Sequence, residues 1–207
     1  MLKAVSNATI ERLPLYLRFL RVLDENKRDV VSSIEFAEMF DITPEQVRRD
    51  LSDVNQFGIK GVGYQVKNLR RGIEKVLGLQ YRWSLAVVGA GEFGMAFIEC
   101  KDFPEYNFNV TAIFDVDENL IGTRINGVKV YDFAKLNAVV ERKIIDIGVI
   151  TVPAEKAQIV ADALINAGIK GILNFAPTKI YVPHDVHLVN ADLLIRLTTL
   201  TYHLSQE

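Results

Sequence analysis

The sequence predicts an α/β protein: an N-terminal winged helix-turn-helix, then a Rossmann-like doubly wound parallel sheet, then a closing C-terminal helix. Three observations predict it. Up to about residue 80, apolar residues recur at helical spacing between well-marked helix starts. From Trp83 onward, short apolar runs alternate with amphipathic segments, as in a parallel sheet with helices on both faces. Between the first of those runs and the next helix stands "VVGAGEFG" (87–94), three glycines at the spacing of a dinucleotide-binding turn.

Taken in order, Leu13, Leu17, Leu20, Val22 and Leu23 give the first helix its apolar face. "VSSIEFAEMF" follows, with Ser32 and Glu35 placed as a capping box for a short second helix. In "DITPEQVRRDLSDVNQFG", Thr43 is the N-cap, Pro44 fits the first helical position, and Gln46 is placed to complete a second box. Gly58 is expected to stop this third helix. "IKGVGYQV" alternates and is glycine-rich, as in a tight β-hairpin, and "VKNLRRGIEKVLG" reads as a fourth helix ended by Gly78. After Trp83, "WSLAVVG" and "FNVTAIFD" read as buried strands flanking a helix at "MAFIECKDF". "GVKVYD", "AKLNAVVERK", "IIDIGVITVP", "AEKAQIVADALINAG" and "IKGILNFAP" continue the alternation of strand and helix. A last helix runs from about Ala191 to Leu204 with Leu193, Leu194, Leu197, Leu200 and Leu204. The expected domains are residues 1–80, 81–190 and 191–207.

Of 207 residues, 49% are hydrophobic and 24% charged, as in an ordinary globular protein, and no run is long enough to span a membrane. Cys100 is the only cysteine, which excludes an internal disulfide and points to a reducing, cytoplasmic setting. Residues 1–80 carry 13 Lys/Arg against 11 Asp/Glu, and the remainder 11 against 15. This asymmetry is too mild to argue for nucleic acid by itself, so the position of the basic residues decides.

In the third helix Val47, Leu51 and Val54 share an inward face. Arg49 and Ser52 then point outward, flanked by Gln46 and Arg48, as in a recognition helix meeting base edges and phosphates in a major groove. Lys60 at the hairpin tip, beside Gly61, could reach a minor groove or a phosphate. Two arginines on a solvated helix face are common, and it is the ordered set of capped helix, outward arginines and basic wing that favours double-stranded DNA.

In "VVGAGEFG" (Gly89, Ala90, Gly91, Glu92, Phe93 and Gly94 follow the strand), Gly89 permits the turn, Gly91 admits a pyrophosphate and Gly94 allows close helix packing. Asp115, in "FDVD", stands about 20 residues beyond the last glycine, where a carboxylate accepts from the adenine-side ribose. It would repel a 2′-phosphate, which favours NADH/NAD+ over the phosphorylated cofactor. Thr151, Val152 and Pro153, with Phe175, Ala176 and Pro177, end two later strands. Pro153, Phe175, Ala176 and Pro177 suit a largely apolar wall at the nicotinamide end, disfavouring the charged oxidised ring. They suit equally well strand ends that need rigid turns.

No catalytic set is apparent. His184, His187 and His203 lack an obvious catalytic partner, no cluster suggests a metal, and there is no separate substrate domain. A sensor is expected rather than an enzyme. The leucine face of the last helix exceeds what one domain edge would leave exposed, which implies a homodimer and therefore a palindromic operator.

"RLPLYLRFL", "VSSIEFAEMF", "QVRRDLS", "KGVGYQV", "GAGEFG", "FDVD", "TVPAE", "AGIKGILNFAP" and "VPHDVHLVNADL" resemble successive blocks of the Rex family of bacterial redox-sensing transcriptional repressors, from about residue 8 to the end. The resemblance implies a homodimer with paired winged helices, a domain binding NADH and NAD+, and C-terminal helices exchanged between subunits. It implies that NADH releases operator DNA and that NAD+ is compatible with binding it. Carried over, Arg48, Arg49 and Lys60 become DNA contacts, and Gly89, Gly91, Gly94 and Asp115 cofactor contacts. Arg12 and Asp192 match positions linking the DNA-binding and cofactor domains in one conformational state.

Two positions depart from the family's pattern. "SDVN" (52–55) stands where the family often has Ser-Tyr-Phe-Gly, placing Asp53 where it would repel any phosphate it faced. Cys100 stands where a nicotinamide-pocket tyrosine is common, a tyrosine expected to hydrogen-bond to the carboxylate at Asp192. Two alternatives stay open on sequence: an NAD-dependent oxidoreductase with a helical appendage, and a coenzyme A-binding regulatory protein.

Overall fold

The computed structural model of the chain describes residues 5–54 and 58–206. It divides into two compact units, Met1–Tyr81 and Arg82–Glu207.

The first unit opens with α1 (Asn7–Glu25), capped by Ser6, whose Oγ accepts from Thr9 N–H at 3.1 Å. Leu13, Tyr16, Leu17, Leu20 and Leu23 are buried, whereas Val22 is 49% exposed because it lies off the face the leucines define. In α2 (Ser33–Phe40) both halves of the Ser32/Glu35 capping box are formed. Tyr16, Phe19, Phe36 and Phe40 pack edge-on or tilted between α1 and α2, with ring centroids 5.1–5.9 Å apart across the two helices. In α3 (Pro44–Asp53), Thr43 caps as expected, accepting from Gln46 N–H at 3.2 Å. The second box does not form, since the Gln46 side chain turns to Asp50 at 2.8 Å. The helix ends at Asp53, before Gly58.

The predicted hairpin is instead a turn closed by one bridge, Ile59 to Gly63. The chain beyond it forms β2 (Tyr64–Gln65), which pairs antiparallel with β1 (Val30–Val31). Gly63 permits this: its φ is +102°, and a Cβ there would lie 2.5 Å from Val31 O. Helix α4 (Val66–Val76) packs on α1 with Leu69 and Ile73 buried.

The second unit contains β3 (Trp83–Val88), α5 (Glu92–Ile98), β4 (Phe108–Asp115), β5 (Arg124–Ile125), β6 (Val128–Asp132), α6 (Leu136–Lys143), β7 (Ile147–Ile150), α7 (Ala154–Asn166), β8 (Gly171–Asn174), β9 (His187–Asn190) and α8 (Leu193–Leu204). Its seven-stranded sheet has the order β5-β6-β4-β3-β7-β8-β9, and all pairs are parallel except β5 with β6. With β5 set aside, the strands lie third, second, first, fourth, fifth, sixth, the order of dinucleotide-binding folds. The turn after β3 therefore sits where the order reverses. The period of two sends Leu85 and Val87 to one face with Ile98 of α5, and Ala86 and Val88 to the other with α6 and α7.

Helix α5 begins earlier and stops sooner than "MAFIECKDF" implied. The Cys100 N–H bonds to Phe97 O, three residues back, and a 3-10 turn with Pro104 follows, leaving Cys100 exposed beyond the helix. Among the described residues no helix is long and apolar enough to cross a membrane.

Candidate functional site

The glycine turn is built by steric exclusion. Gly89 has φ +102°, and a Cβ there would lie 2.9 Å from Thr151 O; a Cβ on Gly94 would lie 2.0 Å from Gly89 O. A larger residue at Gly94 would force α5 away from the turn, and one at Gly89 would press on the chain leaving β7. Around Gly91 nothing lies within 4 Å of where a Cβ would be. Gly91 is also the N-cap of α5 and supplies no side-chain bond to the helix's first N–H groups. An open approach to uncapped donors at a helix start suits an anion. Thr151 braces the turn from β7, its Oγ1 donating to Val88 O at 2.9 Å and Gly89 O at 2.7 Å.

Asp115 closes the other side. Its Oδ2 accepts from Ala90 N–H at 2.6 Å, and its Oδ1 from Val116 N–H at 2.7 Å and Asp117 N–H at 2.9 Å. The carboxylate thus pins the glycine turn to the end of β4. A cavity of about 570 Å³ opens here, lined by Gly89, Gly91, Asp115, Thr151, Val152 and Pro153 among others. Sequence reasoning missed Val116, Phe133, Lys156 and Ile159, which also line it. Val116 could have been found as the neighbour of Asp115 at a strand end; the others come together only in the folded sheet.

The expected apolar wall does not form as one surface. Pro153 joins the cavity of Asp115, Ala176 is buried in the core with α6 and α7, and Pro177 is exposed. Ala176 and Phe175 pack on opposite faces of the sheet, so the four residues do not share one surface. Phe175 instead rests on α5, its ring 4.8 Å from Phe93 and 5.5 Å from Phe97. Of the rest of the turn, Ala90 is buried and contributes its N–H, and Glu92 is exposed.

In the first unit Val47, Leu51 and Val54 are buried, while Arg49 and Ser52 are exposed. Arg48 is braced, donating to Ser33 Oγ at 2.9 Å and to Glu45. With Ser33, Lys60 and Gly61 it lines a cleft of about 660 Å³ between the wing turn and the start of α2. Gln46, expected to flank Arg49 and Ser52, is half-buried and donates its side-chain amide to Asp50. Asp53 is half-buried, and Asn55 lies outside the described residues.

Arg12, expected to link the two domains in one conformational state, is engaged within its own unit in this structure. Its Nε and Nη2 each lie 2.7 Å from the carboxylate of Asp50, which is fully buried. Tyr16 donates to the same group at 2.8 Å and Thr9 at 3.2 Å. Burial alone would raise the Asp50 pKa, but these donors and the Arg12 charge hold it below the ordinary carboxylate value. Burial, and then its bond to Asp50, push the Tyr16 hydroxyl up. Removing Arg12 would strand the buried Asp50 charge, so the guanidinium also supports the fold of its own unit. Asp192 caps α8, accepting from Leu194 N–H at 2.8 Å and Ile195 N–H at 3.3 Å. His184, His187 and His203 are all exposed, and among the described residues no His/Cys/Asp/Glu group is placed to hold a metal.

Two family models match the chain: a putative DNA-binding protein N-terminus over residues 4–52 and a CoA binding domain over residues 80–178. Curated relatives match nearly end to end. The redox-sensing transcriptional repressor Rex of Syntrophomonas wolfei subsp. wolfei is 44% identical, covering 97% of this chain and 96% of its own. That of Syntrophobacter fumaroxidans is 43% identical over 96% and 95%. The chain belongs to the Rex family of redox-sensing transcriptional repressors. Among solved Rex structures, the repressor RSP in complex with β-NAD+ and operator DNA superposes with a TM-score of 0.93 at 39% identity, covering 98% of this chain and 94% of that one. The same Rex protein in complex with β-NADH gives 0.88 at 39% identity, covering 98% and 95%. Rex proteins are transcriptional repressors, so the oxidoreductase reading is set aside.

Proposed function

We propose that the chain is a transcriptional repressor that binds operator DNA through residues 1–80 and reads the NADH/NAD+ ratio through residues 81–190. Residues 191–207 pair two copies. The observation that carries this reading is the open Gly91 at the start of α5, facing Asp115 across one cavity. That arrangement fits a dinucleotide: uncapped N–H groups for the pyrophosphate and a carboxylate for the adenine-side ribose. Phe93 and Phe175 offer an apolar surface to the nicotinamide, favouring the neutral reduced ring over the charged oxidised one.

On the DNA side, Arg49 and Ser52 read base edges, while Arg48, Lys60 and the backbone at Gly61 hold phosphates at the wing cleft. The exposed leucines of α8 join two chains, so that two recognition helices meet the half-sites of a palindrome in the cytoplasm. NADH acts as a signal by binding the non-DNA-binding arrangement better. Turning a hundredfold preference for the bound form into the reverse needs about 5.5 kcal/mol of differential affinity, shared between two sites.

The test is a titration of NADH against the protein on a labelled palindromic duplex at fixed salt, with NAD+ as competitor. NADH is expected to raise the DNA dissociation constant and NAD+ to leave it low. DNA affinity indifferent to both would sink the reading. A thermal shift with coenzyme A in place of NADH checks the alternative nucleotide, and no shift is expected.

A further inference from the structure

We infer that Asn190 is a positioning residue of the redox switch: its side chain clasps the buried Asn174 amide, coupling the turn that carries Phe175 to the root of α8. The inference rests on the function proposed above, with NADH as the releasing signal and α8 as the contact between two copies.

Asn174 ends β8 and is 1% exposed. Its Oδ1 accepts from Ala176 N–H at 3.0 Å. Its Nδ2 faces three acceptors, Ala176 O at 3.2 Å, Thr178 O at 3.1 Å and Asn190 Oδ1 at 2.9 Å. The first two close the 174–178 turn from inside. The third reaches the neighbouring strand, where Asn190 is the register partner of Asn174. The next residue, Ala191, donates its N–H to Asn174 O at 2.8 Å, and Asp192 then caps α8. One buried residue therefore holds both the Phe175 turn and the last residues before the helix.

Phe175 faces the cofactor turn. Its ring lies 4.8 Å from Phe93, in the first turn of α5, and its N–H is tied to Ile150 O at 2.9 Å. Any shift of Phe93 when Gly91 and the start of α5 are engaged is passed to Phe175 and to the amide behind it. At the far end, every residue from Leu193 to Leu204 is exposed, so within its own chain α8 is held only at its root. A small rotation there is magnified along a helix of 12 residues, roughly 18 Å long.

The clasp can open without stranding a buried group. Asn174 keeps Ala176 O and Thr178 O as acceptors, while Asn190 is exposed and turns to water. The Asn174–Asn190 bond is thus the member of the network suited to exist in two arrangements, which coupling between sites requires.

The test compares full-length Asn190→Ala and Asn190→Asp with the unaltered chain. DNA affinity is measured on a palindromic duplex with and without saturating NADH, and NADH affinity in parallel. Asn190→Ala is expected to bind NADH alone and DNA alone within about twofold of the unaltered chain, as for an ordinary surface substitution. The factor by which NADH weakens DNA binding should fall about three- to tenfold, the range for one neutral hydrogen bond per protomer. Asn190→Asp, whose carboxylate keeps the acceptor, should retain the factor. The inference is overturned if Asn190→Ala keeps the full factor, if it loses NADH or DNA binding outright, or if Asn190→Asp loses as much as Asn190→Ala. Failure of the proposed function is distinct, because the unaltered chain would then itself show no NADH effect.

Discussion

Five donor atoms, from Thr9, Arg12, Tyr16 and Gln46, converge on the buried carboxylate of Asp50 and fasten α3 to α1. Removing its charge leaves Arg12 unpaired and donors facing donors. Asp50→Asn should therefore destabilise the N-terminal unit by about 3–5 kcal/mol at neutral pH, read by urea melts. The pH dependence has a definite sign. The folded pKa lies below the ordinary value, so the contribution is complete above about pH 4 and lost as pH falls toward the lower folded value. The variant should lack that part of the acid transition, and an unchanged acid transition would contradict this role. The glycine turn gives a paired prediction. Gly91→Ala meets open space and should melt normally while NADH binding weakens by about tenfold or more, because the new methyl lies where the cofactor must approach. Gly94→Ala meets Gly89 O and should lower the melting temperature of the second unit as well. Equal melting of the two variants would remove the distinction. The sequence did not single out Asp50, because Arg12 and Asp50 are brought together only when two helices pack.

Among the elements, helix starts were the most legible, because a cap is local chemistry. Ser32 with Glu35 forms the full box, and Thr43 with Pro44 starts α3 as read. Gln46 shows the limit of such local reading. It stands at the capping-box position, yet a buried carboxylate one turn on is a stronger acceptor than the local geometry offers. The wing was half legible: its glycines were read as a tight hairpin, where the chain makes a turn closed by one bridge, and the strand that pairs beyond it lies more than 30 residues earlier, out of reach of any local pattern. Helix α8 was legible as a leucine-rich element, and its exposure in the single chain is the reason to expect a partner. Leu197 and Leu200 are 57% and 54% exposed. Replacing both with Asp should leave the fold of each unit intact but convert dimer to monomer in light scattering, with weaker binding to a palindrome. A dimer that persists would move the contact elsewhere.

For the whole molecule, the alternation after Trp83 was enough to foresee a doubly wound sheet, since each buried strand announces itself as an apolar run. The antiparallel β5 was not foreseen, because two residues carry no period. The cavity proposed for the cofactor brings Gly89, Gly91 and Asp115, which the sequence singled out, together with Lys156 and Ile159, which it did not, because these arrive on the helix after β7, beside β3 only in the folded sheet. The apolar wall failed for a related reason, since sequence proximity does not say which face of a sheet a residue takes. What joins the two halves functionally is the prediction that NADH weakens operator binding while NAD+ does not, measured on one duplex at one salt concentration.

No residue of α8 is buried by its own chain. In the dimer proposed above, its leucine face therefore ties repression to supply. Where chains are mostly single, the paired species grows with the square of their concentration, so doubling synthesis raises the operator-reading form about fourfold. Redox state would then govern release, and the rate at which a cell makes the chain would govern how much repression there is to release.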